Sequence, residues 1–170
     1  MERERSISDP QIMTHIMMQR TNSAIIIIAE QAAIRVITSG GKCRFRFYRG
    51  KMTQEKFKEF LLHIMARTDR KVFAISDNLS VHIAIDLKKW AGENADKIEL
   101  FWLPYYSPHL NPAEYLNNNL KYEIARKGYA IDKDEMRKNS MSIMRSFASK
   151  KNHIASFFEN KDVKYAKNPN

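Results

Sequence analysis

The stretch Glu99-Leu100-Phe101-Trp102-Leu103-Pro104-Tyr105-Tyr106-Ser107-Pro108-His109-Leu110-Asn111-Pro112-Ala113-Glu114 decides the fold. Its beginning, apolar from Ile98 to Leu103 and closed by Pro104, reads as a core strand. Its end reads as a helix start: the Asn111 side chain can cap free backbone N–H groups, and Pro112 suits the first helical position. Behind it Ala113, Leu116, Leu120 and Ile124 fall on one helical stripe. Glu114 therefore sits in the first turn of a helix that follows a strand. A carboxylate there complements the helix dipole, and taken alone that accounts for it.

Moving upstream, Ser76-Asp77-Asn78-Leu79-Ser80-Val81-His82 makes the same strand-to-helix passage. Lys71–Ser76 reads as a core strand, and Asp77 follows at its C-terminal end, where α/β sheets place ligands and catalytic groups. The helix after it runs from about Ser80 to Ala91, with Val81, Ala84, Leu87 and Ala91 inward; Asp77 alone could simply cap it. Before the strand, Phe57, Phe60, Leu61, Ile64 and Met65 mark an amphipathic helix. Thr53 is its N-cap, with Lys56 where a capping box would have Glu. Ile34–Thr38, the turn Ser39-Gly40-Gly41-Lys42 and Cys43–Tyr48 form a hairpin with Phe45 and Phe47 on one face and Arg44, Arg46 and Tyr48 on the other. Ala24–Ile28 favours a buried strand, and Pro10–Arg20 a short helix. Downstream, residues 132–159 are helical in pattern with a basic exposed side, and residues after Asn160 read as a loose basic tail. Hairpin, helix, strand, helix, strand, helix is the order of an α/β fold with a mixed sheet and helices on its faces.

Composition narrows the class. Lys and Arg total 29 against 19 acidic residues, a formal net charge of +10 that favours salt-sensitive contact with phosphates but names no chemistry. The single Cys43 excludes an internal disulfide and fits a reducing compartment. The longest apolar run, Ala24–Ala29, is far short of the roughly 20 residues that span a bilayer, so no membrane partner is expected. His15, His63, His82, His109 and His153 lack zinc spacing, and no phosphate-binding glycine loop is present.

The two strand-to-helix blocks together resemble the signature blocks of the mariner-type superfamily of DDE transposases, in its bacterial insertion-sequence branch. The shared pattern is a strand ending in Asp77-Asn78 with His82 four residues on, then Leu103-Pro104, Tyr106-Ser107-Pro108, Leu110-Asn111-Pro112 and Glu114. It covers about Val36 to Leu120, half of the chain. The resemblance implies a ribonuclease-H-like fold and metal-dependent cleavage and transfer of DNA strands. Phosphoryl transfer of this kind can use two Mg²⁺ (or Mn²⁺) ions roughly 4 Å apart, held by carboxylates. By the same resemblance Asp77 would bridge both ions and Glu114 would hold one. Asn78, His82 and Asn111 would position the DNA, with Asn111-Pro112 setting the angle at which Glu114 enters the site. Transposon ends and target DNA are the implied partners, a homodimer the implied assembly, and the bacterial cytoplasm or nucleoid the implied location.

One carboxylate of the family pattern is missing. The first catalytic Asp belongs on the first strand, usually followed by Glu, whereas upstream of the hairpin this sequence has only Glu2, Glu4, Asp9 and Glu30. Ala29-Glu30 would take the place of the Asp-Glu pair, with Ala in the catalytic slot. The expected organisation is an N-terminally incomplete core. Residues 1–31 form a segment holding a remnant of the first strand, 32–128 the catalytic core, and 129–170 a helical extension with a basic tail. The chain would be a gene remnant or one product of a split transposase, inactive by itself; the alternative is a non-catalytic remnant that binds DNA or a full-length transposase. Trp102 or Tyr105 could stack on a base near the cut, with core packing as the plainer role. Arg44, Arg46, Arg49, Lys51, Lys121, Arg126 and Lys127 are backbone-contact candidates.

Overall fold

The computed structural model describes residues 24–30, 33–50, 52–76, 81–104, 106–128, 130 and 132–167; side chains are described for all of these except 24–30 and 81–84. The segment expected as a helix at 10–20 lies outside them. Five strands form one sheet: β1 (Ala24–Glu30), β2 (Ala33–Ile37), β3 (Cys43–Phe47), β4 (Val72–Ser76) and β5 (Ile98–Trp102), in the order β3-β2-β1-β4-β5. The β2–β3 hairpin and its antiparallel pairing to β1 come from short connections. The pairs β1–β4 and β4–β5 are parallel, and helices make the crossovers. β1, with its run of β-branched residues, is central, between β2 and β4.

Among the described residues five α-helices flank the sheet: α1 (Gln54–Met65), α2 (Val81–Glu93), α3 (Pro112–Lys127), α4 (Lys133–Ser149) and α5 (Lys151–Ser156). Strand alternation divides the core between two faces. On one, Ile34, Val36, Val72, Ala74 and Ile98 meet Phe57, Phe60, Leu61 and Ile64 of α1 and Leu87 and Ala91 of α2. On the other, Ile37, Phe73, Ile75 and Phe101 meet Ala113, Leu116 and Leu120 of α3 and Ile143, Met144 and Phe147 of α4. Thr53 caps α1 through its side chain, which accepts the Lys56 N–H at 3.4 Å.

The hairpin turn depends on Gly41, which has φ 81°. A Cβ there would run into the backbone carbonyl of Lys151 at the start of α5, so the turn and the C-terminal region pack without a side chain between them.

The C-terminal region departs from the loose tail expected after Asn160. Lys161–Ala166 is a 3₁₀ helix capped by Asn160, with Val163 and Ala166 buried. The Tyr165 hydroxyl donates to the Leu110 carbonyl at 2.6 Å. Basic composition hid an apolar i, i+3 pair, both members buried, of which Ala166 joins the cluster that holds Phe157 and Phe158. Among the described residues no helix is long and apolar enough to cross a membrane.

Candidate active site

The geometry around Glu114 is set by the turn before α3. Pro108–Leu110 is one turn of 3₁₀ helix, and the Tyr165 hydrogen bond to Leu110 ties it to the C-terminal region. Asn111 follows with extended backbone (φ −100°, ψ 105°), and its Oδ1 accepts the Ala113 N–H at 2.9 Å. The Asn111 carbonyl accepts the Glu114 N–H at 3.0 Å. Asn111 has no exposed surface, so its influence on the site runs through the direction it gives α3. Pro112 at the first helical position adds a fixed φ.

Glu114 is half-buried on α3, and among the described residues no Lys or Arg reaches its carboxylate. Its one described side-chain hydrogen bond is with Asn117, one turn along α3, whose Nδ2 donates to Oε2 at 3.4 Å. Asn117 is 2% exposed and its Oδ1 accepts from Arg35 of β2, again at 3.4 Å. The Arg35 guanidinium, 7% exposed, also stands over the Phe47 ring at 5.9 Å. A buried cation and a buried amide thus stand behind the carboxylate, and neither was singled out from the sequence. An Arg inside the apolar strand Ala-Ile-Arg-Val-Ile was the available signal, since a charge at such a position needs partners.

Other sequence candidates distribute unevenly. Asp77, Asn78 and the His82 side chain lie outside the described residues; β4 ends at Ser76, directly before Asp77, and α2 contains His82 as its second residue. Among the described residues no three His, Cys, Asp or Glu side chains gather closely enough to hold a metal ion. The Glu30 side chain is likewise undescribed, but the backbone register of β1 is clear. Ala29 pairs with Ile34, and Ile27 with Val36, so both run in phase with residues of the α1/α2 core. Ile28 pairs with Arg35 and Glu30 with Ala33, the phase of the α3 face.

Trp102 packs against the α1/α2 core, the face opposite Glu114, in the packing role that was the plainer reading. Tyr105 lies outside the described residues. Tyr106 is 99% exposed with φ 55°, a left-handed conformation uncommon for a side chain of that size. Arg46 is paired with Glu59 and Arg126 with Glu123, while Arg44, Arg49, Lys121 and Lys127 are exposed; Lys51 is undescribed. Burial pushes the Cys43 thiol up to about 12, outweighing the opposite pull of Arg35, so the thiol is neutral at ordinary pH.

The DDE superfamily endonuclease family matches this chain over residues 19–137. Two solved structures are similar. The catalytic domain of Mos1 mariner transposase is 13% identical with a TM-score of 0.53, over 100% of this chain and 98% of that one. The Mos1 transposase catalytic domain with raltegravir and Mn is 13% identical with a TM-score of 0.52, over 100% of this chain and 99% of that one. At such identity the likeness is one of fold, and it makes the mixed sheet with its flanking helices ribonuclease-H-like. No curated protein matches the sequence.

Proposed function

The chain belongs to the DDE superfamily endonuclease family, and from that premise we propose that it cuts and joins DNA phosphodiesters in transposition, using Asp77 and Glu114 as its metal-holding carboxylates. The observation that carries the proposal is Glu114 itself. It is a half-buried carboxylate aimed by a capped helix start, backed by a buried amide, with no cationic side chain neutralising it among the described residues.

That donor set fits a hard divalent cation such as Mg²⁺ or Mn²⁺, which takes carboxylate oxygens and keeps further positions for water and phosphate. Asp77 and Glu114 are the residues that would hold it. When bound, such ions supply charge neutralisation at the phosphate and an activated oxygen nucleophile. The protein's own contribution is positional. Asn111 and Pro112 fix the direction of α3, so Glu114 reaches the site from a rigid helix rather than from a loop. Asn117 limits the rotation of the carboxylate from behind. Asn78 and His82, which begin the passage into α2, are the groups we assign to holding the DNA strand. The first carboxylate of the family pattern is open. β1 carries no Asp, and Glu30 is its one acidic residue, in the phase of the α3 face. DNA ends are the substrate in this reading, two copies act together, and the bacterial cytoplasm is the location.

The absence of Asp from β1 also favours a second reading, in which the domain binds DNA without cutting it. Supercoiled-plasmid nicking in Mg²⁺ or Mn²⁺ separates the two. The proposal requires nicking by the parent protein and its loss in Asp77→Asn and Glu114→Gln; full nicking by Asp77→Asn would overturn the assignment. Loss in Glu30→Gln as well would make Glu30 the third carboxylate. DNA binding with no nicking by the parent would establish the second reading.

A further inference from the structure

A groove of about 940 Å³ opens between the end of β3, the outer side of α3 and the start of α4. Leu120 and Ile124 contribute an apolar floor. The walls carry Arg35, Arg49, Lys121, Lys133 and Arg137 against one carboxylate, Asp134, five positive charges to one negative. These cations come from β2, the end of the hairpin, α3 and α4, so the fold rather than a run of sequence gathers them.

Two features separate this groove from an ordinary basic surface. First, four of its five cations are uncompensated. Among the described residues Arg49, Lys121, Lys133 and Arg137 form no ion pair, whereas Arg46, Lys71, Arg126 and Lys167 each have a carboxylate. A concave wall of one sign over a low-dielectric floor focuses the field outward. Second, part of it is held in place. The Arg137 guanidinium donates to the carbonyls of Tyr48 at 3.4 Å and Phe47 at 3.3 Å, which fixes its charge at the wall. One small anion would satisfy only one or two of these groups. Charges drawn from four separate elements match a ligand with charge repeated along its length.

We propose that this groove binds the sugar-phosphate backbone of DNA and leads the strand to Glu114. Asn117 lines the groove, and the amide of that residue donates to Glu114 Oε2 one turn away on α3. The leading role rests on Glu114 being catalytic; the binding role does not.

The test measures the salt dependence of binding between the full chain and a labelled duplex of about 25 base pairs. Lys121→Gln/Lys133→Gln/Arg137→Gln is compared with Arg70→Gln/Lys89→Gln/Lys97→Gln, exposed positions away from the groove that lose the same net charge. Loss of three phosphate contacts lowers the slope of log affinity against log salt by about 2–3 and weakens binding about 10- to 100-fold near 0.1 M salt. The control should stay within about 3-fold. Because Arg137 also holds backbone carbonyls, Lys121→Glu/Lys133→Glu, at two exposed sites, repeats the measurement without touching it. Equal losses in groove and control variants, or none in either groove variant, overturn the proposal. So does polyglutamate that displaces the duplex as well as unlabelled DNA of equal charge. Glu114→Gln without metal keeps parental affinity if groove and carboxylate are distinct. Groove-dependent binding by a protein that never nicks DNA would remove the catalytic reading and leave the binding role standing. Nicking lost in Glu114→Gln but unchanged in the groove variants would do the reverse.

Discussion

The two faces of the sheet bury similar hydrocarbon but treat polar groups differently. Under α1 and α2 the core is Ile34, Val36, Phe57, Phe60, Leu61, Val72, Ala74, Leu87 and Ile98, with Ser76, in register with Trp102, as the buried polar side chain in its phase. Under α3 and α4 an equally tight set, including Ile37, Ile75, Leu116, Met144 and Phe158, has Arg35, Asn111, Asn117 and Ser140 buried around it. Burying polar groups is costly unless each finds a partner. Here Ser140 donates to the Met136 carbonyl at 2.8 Å, Asn111 caps α3, and Asn117 joins Arg35 to Glu114. A sheet that gathers four of its five described buried polar side chains on one face is under a second demand there. That demand is the placement of Glu114, so the hydrocarbon face carries stability while the polar face gives up some of it for geometry.

The strongest way to break this comparison is to excavate the hydrocarbon face. Phe57 and Phe60 are 1% and 2% exposed, and truncating either to Ala should cost about 3–5 kcal/mol in urea unfolding. Glu114 would keep its helix cap in the fraction still folded. A loss under about 1 kcal/mol would mean that this face is not where stability resides. Next comes Gly41→Ala, expected to cost about 2–4 kcal/mol, from a left-handed φ combined with collision against the Lys151 backbone. Gly50→Ala, also at positive φ but with open space around it, supplies the φ component alone and should cost less.

The hydrocarbon face was the legible one. Phe57, Phe60, Leu61 and Ile64 announce a helix by spacing, and Val72–Ser76 a strand by composition, because burying apolar surface leaves a periodic trace in the sequence. The start of α3 was equally legible, since Asn111 and Pro112 act locally. The polar face was not. Arg35 and Asn117 are 82 residues apart, and neither departs from a pattern that says where its partner is. Gly41 meeting Lys151, and Tyr165 reaching Leu110, are close approaches between distant segments with no periodic signature. The register of β1 likewise depends on strand pairing, which no local pattern in Ala24–Glu30 announces.

A cycle at Arg35 and Asn117 sharpens the comparison at lower cost. Asn117→Leu alone should destabilise by about 1–2 kcal/mol, chiefly by leaving a buried guanidinium short of an acceptor. Adding Arg35→Met should recover much of that loss, because apolar groups of similar size tolerate burial without partners. The pair would then be nearly neutral for folding while Glu114 loses the amide behind it. Additive losses instead would show that the polar network stabilises the fold, and the two faces would differ less than their composition suggests.

The smallest effect concerns Cys43, half-buried on the polar face and opposed to Arg35 in sign of influence. Burial raises its pKa to about 12, while the nearby guanidinium acts to lower it. In the unfolded chain the thiol ionises near 9, so the folded state binds the extra proton between those values. Stability is then unaffected below pH 9 and falls as the pH rises toward 12. Urea midpoints of the parent and Cys43→Ala should run parallel from pH 7 to 9 and converge or cross above it, with the parent losing more. The thiol should also resist alkylation at pH 8 until the protein unfolds. A thiol that reacts readily in the folded state would mean that the Arg35 charge dominates its surroundings. The polar face would then be wet enough at its β3 edge for charge, rather than burial, to set what a side chain there can do.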